Sequence, residues 1–255
     1  MLSPKPQLSL RNAKEYFREH LSAGDYYAEG QKVTGEWFGQ GAEMLGLKGA
    51  VKESDFLTLC EGLNPATGQR LTARKNMQRQ DGEKIVPNRR VFYDFTLSPP
   101  KSVSVVALLR DDRILEAHNR AVRQTMFELE KLAEARVRKS GQRGERVTGN
   151  VVGAAFRHET SRELDPHLHT HCIVFNATFD PVEGRWKALE VQGMYRAQKF
   201  AENLYYHELS KALHALGYEI ENNARDFEIK DVPRSVITRF SKRHQQIDAE
   251  ATKRL

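Results

Sequence analysis

The sequence predicts an α+β fold in which a central antiparallel sheet is flanked by helices. Three observations predict it. Residues Val91 to Leu97 alternate between two faces, with Val91, Tyr93, Phe95 and Leu97 on one and Phe92, Asp94 and Thr96 on the other, the period of a strand. Val151 to His158 and Leu168 to Asn176 are further strand-like runs joined by the polar loop Glu159 to His167, which favours an antiparallel hairpin. Apolar stripes at helical spacing run through Arg113 to Lys139 and Ala197 to Leu216.

Taken in order, the first thirty residues carry Tyr16, Phe17, Tyr26 and Tyr27 on a weakly periodic helical segment broken at Gly24. Gly39, Gly41, Gly46 and Gly49 then punctuate short helical turns. Arg70 to Arg90 is rich in Lys and Arg and contains the turn-forming pair Asp81-Gly82, so it reads as a mobile arm or an exposed hairpin. Ser98, Pro99 and Pro100 end the alternating strand, and a short helix follows from Lys101. In the long helix to Lys139, Leu115, Val122, Met126, Leu129 and Ala133 form a core stripe, and Ser140-Gly141 supplies the stop. Gly217 ends the later helix, Tyr218 to Ile229 suggests a short strand pair around Asn222-Asn223, and Ile237 to Arg254 is helical and basic. No internal repeat or low-complexity tract interrupts the pattern.

With 39% hydrophobic and 29% charged residues, wholesale disorder and fibrous architectures are excluded. The formal charge of +6 and a pI near 9.3 point to an anionic partner. No stretch has the length and apolarity of a signal peptide or a membrane span, which makes the cytoplasm the expected compartment, without membrane insertion. Cys60 and Cys172 are far apart and outside any CxxC spacing, so neither a disulfide framework nor a thiolate zinc site is indicated.

The sharpest chemical feature is His169-Thr170-His171 within a strand. Residues two apart on a strand point the same way, so both imidazoles leave one face while Thr170 turns to the other. A hairpin brings His158 beside the pair, giving three imidazoles around one point with open coordination positions, as expected of a metal that acts on a substrate. His167 is treated as a loop residue near the rim. Asp94 is an acid set between apolar neighbours, where unpaired burial is expensive. Two partners fit it: a ligand histidine or the proton of a hydroxyl nucleophile in a working site, and Arg90 or Lys101 in a structural ion pair. The tyrosines alone prove nothing, although a phenol is a workable nucleophile on phosphorus beside a metal and a base.

Several stretches resemble the conjugative relaxases of the MOBF class (TrwC/TraI-like), within the HUH endonucleases. They are Tyr16 with the pair Tyr26-Tyr27, Glu36-Trp37 leading into Gly41-Ala42-Glu43 and Leu45-Gly46-Leu47, Asp94 followed by SPPKSVS at 98–104, and FRHETSRELDPHLHTH at 156–171. The resemblance covers nearly the whole chain, and the last segment is its most specific part. It implies a palm-like α+β core, Tyr16 as the nucleophile of the first cut, and a divalent ion, Mg2+ or Mn2+, on His158, His169 and His171, a site that other transition metals can also occupy. It also implies a supporting role for Asp94, DNA contacts from Arg79, Arg90 and Lys187, and a second transfer served by Tyr26 or Tyr27. Family members often carry a second tyrosine directly after the first, where this chain has Phe17.

The activity so implied is strand-specific nicking and rejoining of single-stranded or hairpin DNA at a plasmid origin of transfer, oriT, through a covalent 5′-phosphotyrosine. Conjugative accessory proteins, a coupling protein and type IV secretion machinery are the implied partners, with passage into the recipient cell. Residues 1–255 then form one relaxase domain, trimmed at its C-terminal end and lacking the helicase that follows in full-length relatives; no GxxxxGK[ST] is present. Two other readings fit part of the pattern: a rolling-circle replication initiator, and a three-histidine zinc hydrolase of a small molecule, for which the basic arm has no use.

Overall fold

The computed structural model describes residues 1–21, 33–73, 78–81, 84–87, 89–139, 142–161, 163–224 and 226–242. Its centre is a five-stranded sheet in the order β1 (Leu2–Gln7), β5 (Phe92–Leu97), β9 (Pro166–Phe175), β8 (Gly153–Thr160), β2 (Glu36–Phe38), with every neighbouring pair antiparallel. The central antiparallel sheet flanked by helices is the α+β architecture read from the sequence. Strands β8 and β9 form the expected hairpin, placing β9 at the middle of the sheet.

Register sorts the side chains into two layers, because directly paired residues share a face. One face carries Tyr93, Phe95, Leu97, Leu168, Cys172 and Val174, packed against α4 (Lys101–Leu109), α5 (Arg113–Glu130) and α7 (Gln198–Ala215). α5 buries Ile114, Ala117, His118, Ala121, Val122, Thr125, Met126 and Leu129, the three-and-four spacing of one helical stripe. The opposite face carries Phe92, Ala154, Phe156, Ile173 and Phe175, covered by α1 (Leu10–Tyr16), the π-helical turn Phe17–Leu21, α2 (Gln40–Met44) and α3 (Glu53–Cys60). Edge strand β2 lies close on β8 because Gly153 has no side chain; a Cβ there would overlap the Phe38 ring.

Two short hairpins flank the sheet: β3 (Gln78–Asp81) with β4 (Lys84–Pro87), and β13 (Ile220–Asn222) with β14 (Phe227–Ile229). The first matches the hairpin reading of the basic arm, and the second the strand pair around Asn222-Asn223. Strands β10 (Thr178–Asp180) and β11 (Arg185–Lys187) form a third pair. β12 (Leu189–Glu190) pairs with β6 (Glu134–Lys139), which also pairs with β7 (Gln142–Val147).

The long helix expected to reach Lys139 ends at Glu130, and residues 134–139 are a strand. Glu134, Ala135, Arg136 and Val137 alternate polar and apolar, a period-2 pattern that the helical stripe upstream obscures. Lys139 pairs with Gln142, and the helix stop expected at Ser140-Gly141 lies outside the described residues. β1, β2 and β10–β12 were not anticipated; four of them span three residues or fewer, too short for alternation to register. α6 (Gln192–Arg196) precedes α7, and α8 (Arg234–Arg239) begins before the basic helix expected from Ile237, most of which lies outside the described residues.

Candidate active site

Tyr16 is the last residue of α1, whose first turn is capped by Ser9 accepting from the Asn12 amide. Adjacent helical positions diverge by about 100°, and the chain uses that divergence at 16 and 17. Phe17 turns into the core, its ring 4.3 Å from that of Phe56 and 5.8 Å from that of Phe156. Tyr16 turns along the sheet toward β5 and β9. The departure from the family at position 17 is thus a core aromatic facing away from the site. Ion pairs Lys14–Glu61 at 2.6 Å and Arg18–Glu53 at 2.9 Å bind this segment to α3.

The Tyr16 hydroxyl donates to Asp94 Oδ2 at 2.7 Å and lies 3.4 Å from His171 Nδ1. Asp94 is 4% exposed, and the same Oδ2 lies 2.7 Å from His171 Nδ1. Thr96 Oγ1 donates to the other oxygen, Oδ1, at 3.2 Å and sits 3.2 Å from His171 Nδ1. A buried carboxylate is tolerated when donors surround it, and three converge here. Of the partners weighed for Asp94, histidine and hydroxyl are present together. Lys101 instead donates to the Pro166 carbonyl at 2.9 Å.

On the adjoining strands the His158, His169 and His171 rings stand 5.3, 5.5 and 5.1 Å apart, centroid to centroid. His158 and His169 are direct cross-strand partners. A β-bulge between His158 and Thr160 adjusts the strand beside them, and in the loop beyond it the Glu163 and Asp165 amides both donate to Ser161 Oγ at 3.2 Å. His169 Nδ1 lies 2.8 Å from the His167 carbonyl. A carbonyl only accepts, so Nδ1 carries the proton and Nε2 the lone pair; the Asp94 carboxylate imposes the same tautomer on His171. Among the described residues no three ligating side chains are already placed to hold a metal ion as they stand. The donor set nevertheless fits a divalent ion: imidazoles bound at about 2.1 Å with angles near 100° have centroids about 5 Å apart, the spacing of these rings.

Two further side chains border the site, His167, expected in a loop near the rim, and Thr96, which was not anticipated. His167 lies inside β9, and its ring stacks on His169 at 4.7 Å and 30°, correcting its expected place in a loop. Thr96 joins the site from β5. Both stand two residues from a recognised site residue, on the same face, so strand parity was the signal that could have found them.

The expected DNA-contacting residues lie apart. Arg79 belongs to β3, with its side chain outside the described set, as are Tyr26 and Tyr27 entirely. Arg90 is exposed just before β5, four residues from Asp94. Lys187 is only 11% exposed, its Nζ 2.7 Å from Glu183 Oε1 and 3.4 Å from Asp180 Oδ2, so its charge is already matched by two carboxylates.

A helix-borne phenol against a buried carboxylate, with three imidazoles on neighbouring strands of an antiparallel sheet, is the arrangement of the HUH endonucleases. Residues 10–254 match the family model described as TrwC relaxase, and the chain belongs to that family. A multifunctional conjugation protein TraI of Escherichia coli is 39% identical over 246 residues, and another, from strain K12, 38% over 245. The matched stretch is 89% of this chain but 13% of the length of those relatives. Among solved structures, conjugative relaxase TrwC in complex with oriT DNA superposes in its metal-bound form with a TM-score of 0.85 at 35% identity, over 100% of this chain and 84% of that one. A metal-free complex gives 0.83 at 34%, with the same coverage.

Proposed function

We propose that this chain nicks and rejoins one DNA strand at a plasmid origin of transfer by transesterification, with Tyr16 as the nucleophile. The observation that carries the reading is the shared acceptor: Asp94 Oδ2 meets both the Tyr16 hydroxyl and His171 Nδ1 at 2.7 Å. As the Tyr16 oxygen bonds to the scissile phosphorus, its proton passes to Asp94 and the bond from phosphorus to the 3′ oxygen breaks. That oxygen takes a proton from water, leaving a free 3′ hydroxyl and the 5′ phosphate on Tyr16. The reverse step rejoins the strand with no external energy source. His158, His169 and His171 would hold a divalent ion, which when bound supplies positive charge at the non-bridging phosphate oxygens. A small-molecule hydrolase gives no reason for a phenol to be held on the carboxylate beside that site.

Single-stranded or hairpin oriT DNA is the proposed substrate, drawn by the net positive charge and by the basic β3–β4 hairpin with Arg79 and Arg90. Tyr26 and Tyr27 are candidates for the second transfer that ends the reaction. The chain then acts as the relaxase domain of a longer conjugation protein working with accessory, coupling and type IV secretion components in the cytoplasm. Among the described residues no helix is long and apolar enough to cross a membrane.

The test is incubation with labelled single-stranded oriT oligonucleotides and Mn2+, followed by denaturing electrophoresis. A covalent band is expected from the parent protein and none from Tyr16→Phe, with DNA affinity nearly unchanged, since one hydroxyl supplies the bond and little of the binding. Adduct formation by Tyr16→Phe at the parent rate would refute the assignment.

A further inference from the structure

Strand β9 presents His169 and His171 to the site and, between them, Thr170 to the opposite layer. There Thr170 Oγ1 lies 2.8 Å from Nε2 of His118, in the middle of α5. Nδ1 of the same ring lies 2.7 Å from the Tyr205 hydroxyl, on α7. His118 and Tyr205 are fully buried and Thr170 is 4% exposed, all three set in the apolar layer behind the sheet.

Burial pushes the His118 imidazole down to about 3, so the ring is neutral at physiological pH. A neutral imidazole has one N–H and one lone pair, and two hydroxyls meet that need in full. The phenol, the more acidic hydroxyl, donates to Nδ1; Nε2–H then donates to Thr170. Buried polar groups cost stability unless satisfied, and leucine at 118 with valine at 170 would fill such a layer without that demand. Three polar groups in line therefore provide direction, which apolar packing does not. They act on the one residue of β9 that lies between two site histidines, where a small twist of the strand would swing both rings.

We infer that His118, oriented by Tyr205, is a positioning residue that holds β9 at Thr170 and so fixes the directions of the His169 and His171 rings; this rests on reading those two as metal ligands. The helical layer is thereby connected to the reacting face through one hydrogen bond across the strand.

The experiment uses Thr170→Val, which removes only the hydroxyl, Thr170→Ser, which keeps it, and His118→Phe at the other end. Two quantities are read well below the melting temperature: the 15N resonances of the site imidazoles without metal, and Mn2+ affinity by calorimetry. Thr170→Val should give the His169 and His171 rings more than one environment and weaken Mn2+ binding about tenfold, as loss of a ligand-orienting contact does. Thr170→Ser should restore both. His118→Phe should match Thr170→Val, and the double variant should bind Mn2+ no more weakly than either single one, because both remove the same contact. Parent-like ring spectra and affinity in Thr170→Val would overturn the inference even if its melting temperature fell. A parent protein that fails to bind Mn2+ would overturn the metal reading instead, with the ring spectra then deciding the positioning role. Should His118→Phe not fold, the two Thr170 variants decide the matter.

Discussion

The two ends of one sheet face are built from the same strands and the same alternation, yet they differ in chemistry. Toward one end Phe92, Phe156, Ile173 and Phe175 meet Phe56 and Phe17 in a cluster of tilted and edge-on rings, with Phe56 and Phe175 5.0 Å apart. Two residues along each strand the same rows become Asp94, His158 and His171. The aromatic end is dry and closely packed, and it fixes strand positions to within a rotamer. The polar end can then hold a phenol, a carboxylate and the His171 imidazole at hydrogen-bonding distance, with the His158 and His169 rings beside them. Tyr16 and Phe17 repeat this division within one helix, one residue serving each end.

The comparison breaks most visibly if the polar end tolerates the loss of its members. Asp94→Asn should slow adduct formation by about 10²–10⁴-fold, the range for removing a general base, with little change in DNA binding. His169→Ala or excess chelator should do at least as much. Single-turnover cleavage of a labelled oligonucleotide measures both. A rate within threefold of the parent in Asp94→Asn would make the Tyr16 contact incidental to the chemistry.

The aromatic end should show the opposite behaviour. Phe175→Ala opens a cavity in a fully packed cluster and should cost about 3–5 kcal/mol of stability, read from urea unfolding. At a temperature where the variant remains folded, its cleavage rate should stay close to that of the parent. A rate loss as large as that of Asp94→Asn would mean that the two ends are not separable.

How much of this was legible in the sequence follows the same division. The β8–β9 hairpin and its three histidines were readable because strand parity is a local rule and the loop between the strands is short. Asp94 stood out because an acid between apolar neighbours is conspicuous in a strand. Thr96 and His167 obey the same parity but are chemically ordinary residues that gain meaning only from neighbours. His118 sits on a helical stripe where a core histidine looks like any other, and its partners come from β9 and α7, 52 and 87 residues away. Strand β6 was read as the end of a helix because pairing with β7 and β12, more than local propensity, makes 134–139 a strand.

Acid should separate the layer behind the sheet from both ends of the face in front. His118 is neutral when folded, with its pKa depressed to about 3, while the unfolded chain takes up that proton near pH 6.5. The unfolded state therefore binds more protons throughout that interval. Stability from this group is fully present above about pH 6.5 and falls as pH drops toward 3, by at most about 1.4 kcal/mol per unit. His118→Gln, which has no proton to gain, should show a correspondingly flatter decline in melting temperature between pH 6.5 and 4. Parallel curves for the two proteins would mean that His118 does not carry that dependence.

The smallest effect is expected at Lys187, where the resemblance to relaxases and the structure pull in different directions. A lysine that contacts phosphate releases counterions and contributes roughly 0.7 to the slope of log affinity against log salt for single strands. For that its ammonium must be available. Here it lies against Glu183 and Asp180 with the side chain 11% exposed, and Arg146 shares Asp180 at 2.8 Å. Leaving those carboxylates for a phosphate would strip charge compensation from a buried Asp180, so the exchange gains little. Lys187→Met should therefore lower the salt slope by much less than the roughly 0.7 of a working contact. Arg90→Ala, which removes an exposed cation before β5, is the internal control and should lower the slope by close to a full contact. Equal slope losses in the two variants would show that Lys187 leaves its carboxylates when DNA binds.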